Sequence, residues 1–424
     1  MSDVAPDAPA IPRSALPWYL TSSSFWIAAM SLQGFLITWM LVGVLETPAD
    51  EVGFGRALID LPALAFILVG GLLADRSNGR VLLIRMHLLM VLPGLALAWL
   101  IGAGRLGFWV VIGFGLTVSV MQAMSDPARQ AMLSRVTRTD IQRTVTITTI
   151  VGALAGLGGV WVGGRLDIIG LAPILILQAL VFAAGALPLR RLPMLPAISS
   201  GGPTDLLAGI RSLASAPLIR NVIGLNLVSS LFNAGAYIIA IPFIVREVYQ
   251  GDVAMFSMVM IAFTCGSISS NVILLYFMPL KHPGRLFLLM QVTRALILGL
   301  LIMKPSMSLF YGAIFAWGFN MGVTTTLVRT TVQELAAPAH RAQVLAVLIF
   351  SFMVAAPISS VLLGQLIAGA DPLTALIPGI VISMLIFAWG VPFSGLWNYA
   401  AAAASPGHPL LPPSSATTLE MRTK

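Results

Sequence analysis

GLLADRSNGRVLL, residues 71–83, is a charged island between two apolar runs, and the runs that bracket it decide the fold. Residues 56–74 and 82–104 carry few charges. At 1.5 Å rise per residue, each is long enough to cross most or all of roughly 30 Å of hydrocarbon. The same alternation continues outward in both directions. Apolar spans fall near 17–45, 56–74, 82–104, 106–126, 144–165, 168–189, 218–245, 253–279, 286–303, 306–328, 343–369 and 373–397, with charged clusters between them. Composition agrees. Hydrophobic residues make up 58% of the 424 and charged residues 9%, with a mean hydropathy of +0.94. Soluble domains carry far more charge, so the chain reads as a polytopic membrane protein. Its 39 glycines and 27 prolines fit, because membrane helices use both where neighbours pack closely or re-satisfy the backbone.

The order of charges gives an orientation. Counted over alternate loops, 18 of the 24 Lys and Arg residues fall on the side that carries both termini and five on the other, with Arg294 inside a span. The positive-inside rule makes the first side cytoplasmic. Residues 1–16 lack the basic region and short apolar core of a cleaved signal peptide and read as a cytoplasmic tail. Residues 399–424, rich in Pro, Ser and Ala, read as a disordered cytoplasmic tail. The net charge of +8 is spread over loops without an aromatic-basic patch, so nucleic acid is not an expected partner. The lone Cys265 allows no intramolecular disulfide or thiolate cluster, and neither paired carboxylates nor a His-x-x-x-His motif occurs. No metal, cofactor or enzymatic activity is expected.

Six spans lie on each side of the longest interruption, residues 190–217. It holds the linker PMLPAISSGGPTD and then DLLAGIRSLA, amphipathic enough to lie on the membrane surface. The expected division is a six-helix bundle over 17–189, the linker, and a second bundle over 218–398. RQAMLSRVTRTDIQRTV from Arg129 and RTTVQELAAPAHRAQV from Arg329 hold the same place in each half. Two similar halves around a central cavity is the arrangement of alternating-access transporters.

The 71–83 stretch resembles the signature loop of the major facilitator superfamily, G-x-L-A-D-R-x-G-R-K. Asn78 stands where the turn glycine is expected, and Gly79 where the first basic residue is expected. Asn tolerates the left-handed conformation, which would keep the turn. The resemblance implies a conformational latch of Gly71, Asp75, Arg76, Arg80 and Arg129: Gly71 for close helix approach, Asp75 to cap or pair, and the arginines at the inner surface. The matching loop of the second half, LYFMPLKHPGRLFLL, keeps Gly284 and Arg285 but has Leu280 in place of the acid.

SDPARQAMLSRVTRTDIQRTVTI and DLLAGIRSLASAPLIRNVIGL resemble segments of bacterial transmembrane secretion effectors, relatives of macrolide efflux proteins and the enterobactin exporter, with similarity from about Leu20 to Trp397. This resemblance implies an all-α integral membrane fold of twelve helices in two pseudo-symmetric six-helix bundles. It further implies a monomeric, proton-coupled antiporter in the bacterial inner membrane that exports a small amphiphilic compound such as a drug or siderophore. An importer or lysophospholipid flippase of the same fold, and a transport-inactive membrane sensor, remain open. GLGGVWVGGRL from Gly156 partly resembles the antiporter motif G-P-x-x-G-G. Gly159, Gly163 and Gly164 fit, Val160 replaces the proline, and Pro357 stands at a comparable place in the eleventh span. These residues serve either a hinge or tight helix packing.

Ionisable groups inside hydrocarbon are expensive, so each is a functional candidate. Asp60, with Arg56 at i−4, is a rim ion pair or a proton-coupling carboxylate. Arg294 meets an anionic group or snorkels to the inner surface. Gln33, Asn271, Asn320, Thr324 and the i, i+4, i+7 stripe of Asn226, Ser230 and Asn233 are candidate cavity walls. Phe35, Trp39, Phe232, Tyr237, Trp317 and Phe319 are candidate apolar walls. His87 and His282 are expected at span ends, facing solvent or headgroups. In the fourth span Gln122 is the nearest polar residue to the place where many proton-coupled relatives carry an arginine.

Overall fold

The computed structural model describes residues 15–137, 141–194, 216–278, 280–336 and 341–400. The expected terminal tails and the expected surface helix of the linker fall almost wholly outside the described residues. Twelve long helices follow one another: α1 Ala15–Val44, α2 Ala49–Arg76, α3 Gly79–Gly102, α4 Phe108–Val136, α5 Ile141–Gly163 and α6 Leu171–Leu189. After the linker come α7 Pro217–Val248, α8 Val253–Phe277, α9 Pro283–Ile302, α10 Met307–Leu335, α11 Arg341–Gly369 and α12 Thr374–Phe393. A helix satisfies its own backbone polar groups, which is what a chain in hydrocarbon requires.

Among the described residues, nine of the twelve are long and apolar enough to cross a membrane on length and composition alone. The other three, α2, α5 and α10, carry charges, with threonines in α5 and α10 and Asn320 in α10, and they line cavities described below. Large apolar side chains such as Trp99, Trp109, Leu296 and Phe393 cover the outside, as lipid contact demands.

The turn at 77–78 survives by a different device from the one expected. Asn78 has extended rather than left-handed backbone, and its side chain accepts from the N–H groups of Arg80 and Val81, capping α3. Close helix approach comes from Gly70, not Gly71. A Cβ on Gly70 would collide with the Ala123 and Met124 backbone of α4, whereas one on Gly71 would meet open space. Helix α3 is interrupted at Met90, three residues before Pro93, which offers no N–H to the Leu89 carbonyl.

The two halves repeat a local signature. Helices α1 and α7 both end in a π-helical turn, Met40–Val44 and Ile244–Val248, followed by a residue of positive φ, Glu46 in one and Gln250 in the other. Non-glycine residues seldom take that conformation, so its recurrence at matching places marks duplicated architecture.

Within the bundles, α2 packs along α4, α1 along α5 and α6, α8 along α10, and α7 along α11. The bundles meet where α2 runs against α11 and α5 against α8. Named contacts across this seam lie toward the ends away from the termini. Gly53 faces Ser360 and Gly364, Gly164 faces Ser257, and the Ser257 hydroxyl donates to the Val160 carbonyl at 3.0 Å. Phe35 and Trp39 of α1 stack on Phe256 of α8 with centroids 4.9 and 5.4 Å apart, and Arg246 donates to the Val42 carbonyl. These aromatics hold the halves together instead of walling a cavity. Tyr237, Trp317 and Phe263 likewise pack on one another.

Gly159 presses on the Ala28 carbonyl of α1 and Gly163 on the Phe35 ring, so both serve helix packing. Gly159→Leu should cost roughly 2–3 kcal/mol by overpacking and lower the unfolding temperature of the purified protein. Gly158→Leu, at a position with open space, should leave it unchanged.

Candidate functional site

Along the N-terminal bundle runs a cavity of about 570 Å³. It follows α1 from Tyr19 to Ile37, roughly 27 Å of helix, with α2, α4 and α5 forming its other walls. Four charged side chains face it: Arg56 and Asp60 of α2, and Asp126 and Arg129 of α4. Arg56 and Asp60 form the i, i+4 ion pair expected at the rim, 3.3 Å apart and partly exposed. Gln33 is buried in the same wall, its Oε1 accepting from Gln178 Nε2 of α6.

Helix α4 continues ten residues past the expected end of its span, to Val136. Asp126, the last residue of the expected span, and Arg129, expected beyond it, therefore both stand inside the helix. Arg129 is buried rather than at a surface. Its guanidinium lies 3.7 Å over the Trp26 ring and 3.4 Å from His87 Nδ1, and the Tyr19 hydroxyl donates to its carbonyl at 2.8 Å. A cation over an indole face, shielded from water, is a favourable pairing that needs no acid. His87 faces neither solvent nor headgroups: it has no exposed surface, and its ring also meets Ser22 and the Leu83 carbonyl. Helices α1, α3 and α4 are thus stitched together at one depth.

The expected latch is only partly gathered. Arg80 donates to the Leu192 carbonyl at 2.8 Å, tying the loop to the end of α6, while Arg76 is exposed and Arg129 is occupied elsewhere. The Asp75 side chain lies outside the described residues.

The C-terminal bundle gathers its expected residues well. Arg294 is 2% exposed and sits at the twelfth position of α9, roughly 16 Å in, near the middle of the bilayer. It does not snorkel. Nε donates to Asn320 Oδ1 at 3.1 Å, NH1 to Ser229 Oγ and Gln291 Oε1, and NH2 to Thr324 Oγ1 at 3.2 Å. Asn320 in turn donates to the Met290 carbonyl and Thr293 Oγ1, both at 2.7 Å. Asn226, Ser230 and Asn233 line a cavity of about 50 Å³ beside this guanidinium. Ser229 and Gln291 escaped the sequence reading: one adjoins the stripe, the other lies one turn before Arg294. Asn271 belongs to a separate pair with Thr326. Pro357 lies inside α11, two residues before Ser359, whose hydroxyl accepts from the Gly235 amide of α7 at 2.6 Å.

Among the described residues no group of His, Cys, Asp and Glu is placed to hold a metal ion. Trp26→Leu and Arg129→Gln should each destabilise the protein, and a double-mutant cycle on unfolding free energy should return a coupling of about 1–2 kcal/mol for the desolvated cation–π pair.

Residues 18–360 match the family profile of the Major Facilitator Superfamily. A search of curated proteins returns no match. Among solved structures, the nucleoside transporter NupG superposes with a TM-score of 0.71 at 13% identity, covering 91% of this chain and 99% of that one. A bacterial homolog of the human lysosomal transporter Spinster, inward-facing and unoccupied, gives 0.66 at 13% identity over 91% and 98%. A bacterial homologue of the iron transporter ferroportin, also inward-facing, gives 0.65 at 13% identity over 90% and 98%.

Proposed function

The chain belongs to the Major Facilitator Superfamily, and on that premise we propose that it is a proton-coupled exporter of a small amphiphilic compound, a drug or siderophore, working by alternating access. Membership makes it a multi-pass membrane protein that transports a small molecule across the bilayer. The finer reading places it in the bacterial inner membrane as a monomer, on the branch of the transmembrane secretion effectors, with both termini cytoplasmic. The bundles 17–189 and 218–398 act as the two rocking bodies.

One observation carries the proposal. The cavity of about 570 Å³ is lined by two carboxylates, Asp60 and Asp126, and the cross-bundle contacts gather at the end away from the termini. With the termini inside the cell, this is an inward-facing state, the state in which an exporter loads. Asp126 is the coupling candidate of choice. It lines the cavity and is beyond ion-pair contact of any cation among the described residues, its neighbour Arg129 being laid over Trp26, whereas Asp60 is engaged by Arg56. A carboxylate that exchanges a proton for substrate must reach the cavity and lack a permanent counter-ion. The apolar remainder of the wall, including Ile27, Met30, Ile59 and Val118, suits the hydrophobic part of an amphiphile.

In cells without their own exporters, expression should lower accumulation of at least one compound in a panel of dyes, macrolides and siderophores. Asp126→Asn should cut that efflux about tenfold or more, as for loss of a proton-transfer group, and Asp75→Asn should also lower it. In proteoliposomes, an imposed pH gradient that leaves efflux unchanged would remove proton coupling from the proposal.

The seam is testable separately. Ser257, 3% exposed, should as Ser257→Cys in a Cys265→Ser background resist an impermeant thiol reagent added from outside. Labelling should rise several-fold during turnover, as μs–ms opening exposes the seam.

A further inference from the structure

Arg294 presents a full positive charge near the bilayer midplane, and every group that accepts from it is neutral: Asn320, Ser229, Gln291 and Thr324. No carboxylate forms an ion pair with it among the described residues. Taking a guanidinium out of water is costly, and four amide and hydroxyl dipoles offset that cost only in part. A glutamine would stitch α7, α9 and α10 together without the charge. Arg129, the buried arginine of the other half, differs on both counts, with an indole ring over its face and Asp126 three residues away on the same helix.

A second, independent feature points the same way. Asn226 is 3% exposed, lines the 50 Å³ cavity that Arg294 also lines, and its Nδ2 has no hydrogen-bond partner among the described residues. A guanidinium and an amide N–H₂ thus converge on one small space. Its volume exceeds the roughly 10–15 Å³ that a single water needs and leaves room for a small polar group. Met321 and Phe352 supply an apolar wall beside it.

We infer that this cage recognises the carboxylate end of the transported compound, so that the substrates are amphiphilic carboxylic acids in their anionic form. The inference rests on the transporter reading and adds the substrate class. The carboxylate takes a charge-assisted bond from the guanidinium and a second from Asn226 Nδ2, while its apolar body lies toward Phe352 and Met321. Ser230 and Asn233 complete the polar wall.

The test uses the full-length protein, purified in detergent, with octanoate and methyl octanoate as probes and the unfolding temperature as readout. Octanoate should stabilise the wild type saturably, with an apparent affinity about tenfold or more above that of the ester, since the ester lacks the charge. Arg294→Gln should erase the difference, Arg294→Lys should retain part of it, and Arg105→Gln, at an exposed position outside both cavities, should retain all of it. Where Arg294→Gln gives no cooperative transition, Asn226→Ala decides. It leaves the guanidinium and its four acceptors in place and should weaken octanoate several-fold with no effect on the ester. Equal stabilisation by acid and ester in the wild type, or by neither, overturns the inference, as does discrimination that survives both Arg294→Gln and Asn226→Ala. If neutral compounds are still exported in the cellular screen, the transporter reading stands and the carboxylate site alone falls.

Discussion

Hydrocarbon offers no hydrogen-bond partners, and almost every feature of this molecule follows from that constraint. It forces the backbone into helices, since each span must satisfy its own N–H and C=O groups. It also removes the usual hydrophobic force between helices, because lipid is as apolar as leucine, and leaves packing and polar contacts to hold them. Gly159 against Ala28, Gly70 against α4 and Gly53 against Ser360 show the first means. Gln178 reaching Gln33, and Gly235 reaching Ser359, show the second.

The same constraint makes the two buried arginines informative, because the protein treats them differently. Arg129 is laid over Trp26 beside His87, where polarizable ring faces and a nearby acid accommodate its charge. Arg294 is held by neutral oxygens from three helices. Both clusters join the first, third and fourth helices of their bundle, so the duplication has kept the site of the stitch while its chemistry diverged. One half offers a long cavity faced by two carboxylates and two arginines, the other a small pocket with one cation.

In the proposed alternating-access cycle, conformational change acts on the seam between the bundles. Glycines and small residues there bring the α2–α11 and α5–α8 backbones close, and the aromatic stack of Phe35, Trp39 and Phe256 closes over the same end. Contacts built from backbone approach and ring stacking, without ion pairs across them among the described residues, can separate without exposing unpaired charge. That suits a gate which must open and reclose.

Hydropathy determined the number of helices, their order and the two-bundle division of the fold, because the cost of exposing a backbone to lipid is the same for any apolar sequence. The i, i+4, i+7 spacing likewise put Asn226, Ser230 and Asn233 on one face, a consequence of helical geometry alone. Tertiary structure decided what polarity by itself could not. Arg129 and His87 read as surface or span-end residues because charge ends an apolar run, yet α4 continues and carries Arg129 inward where Trp26 and Tyr19 receive it. Asn78 became a helix cap and not a left-handed turn because α3 starts one residue later and offers its amides. That Arg129 meets Trp26 and His87, while Arg294 meets Ser229, Asn320 and Thr324, depends on residues more than twenty apart in the chain, and only their packing brings those together.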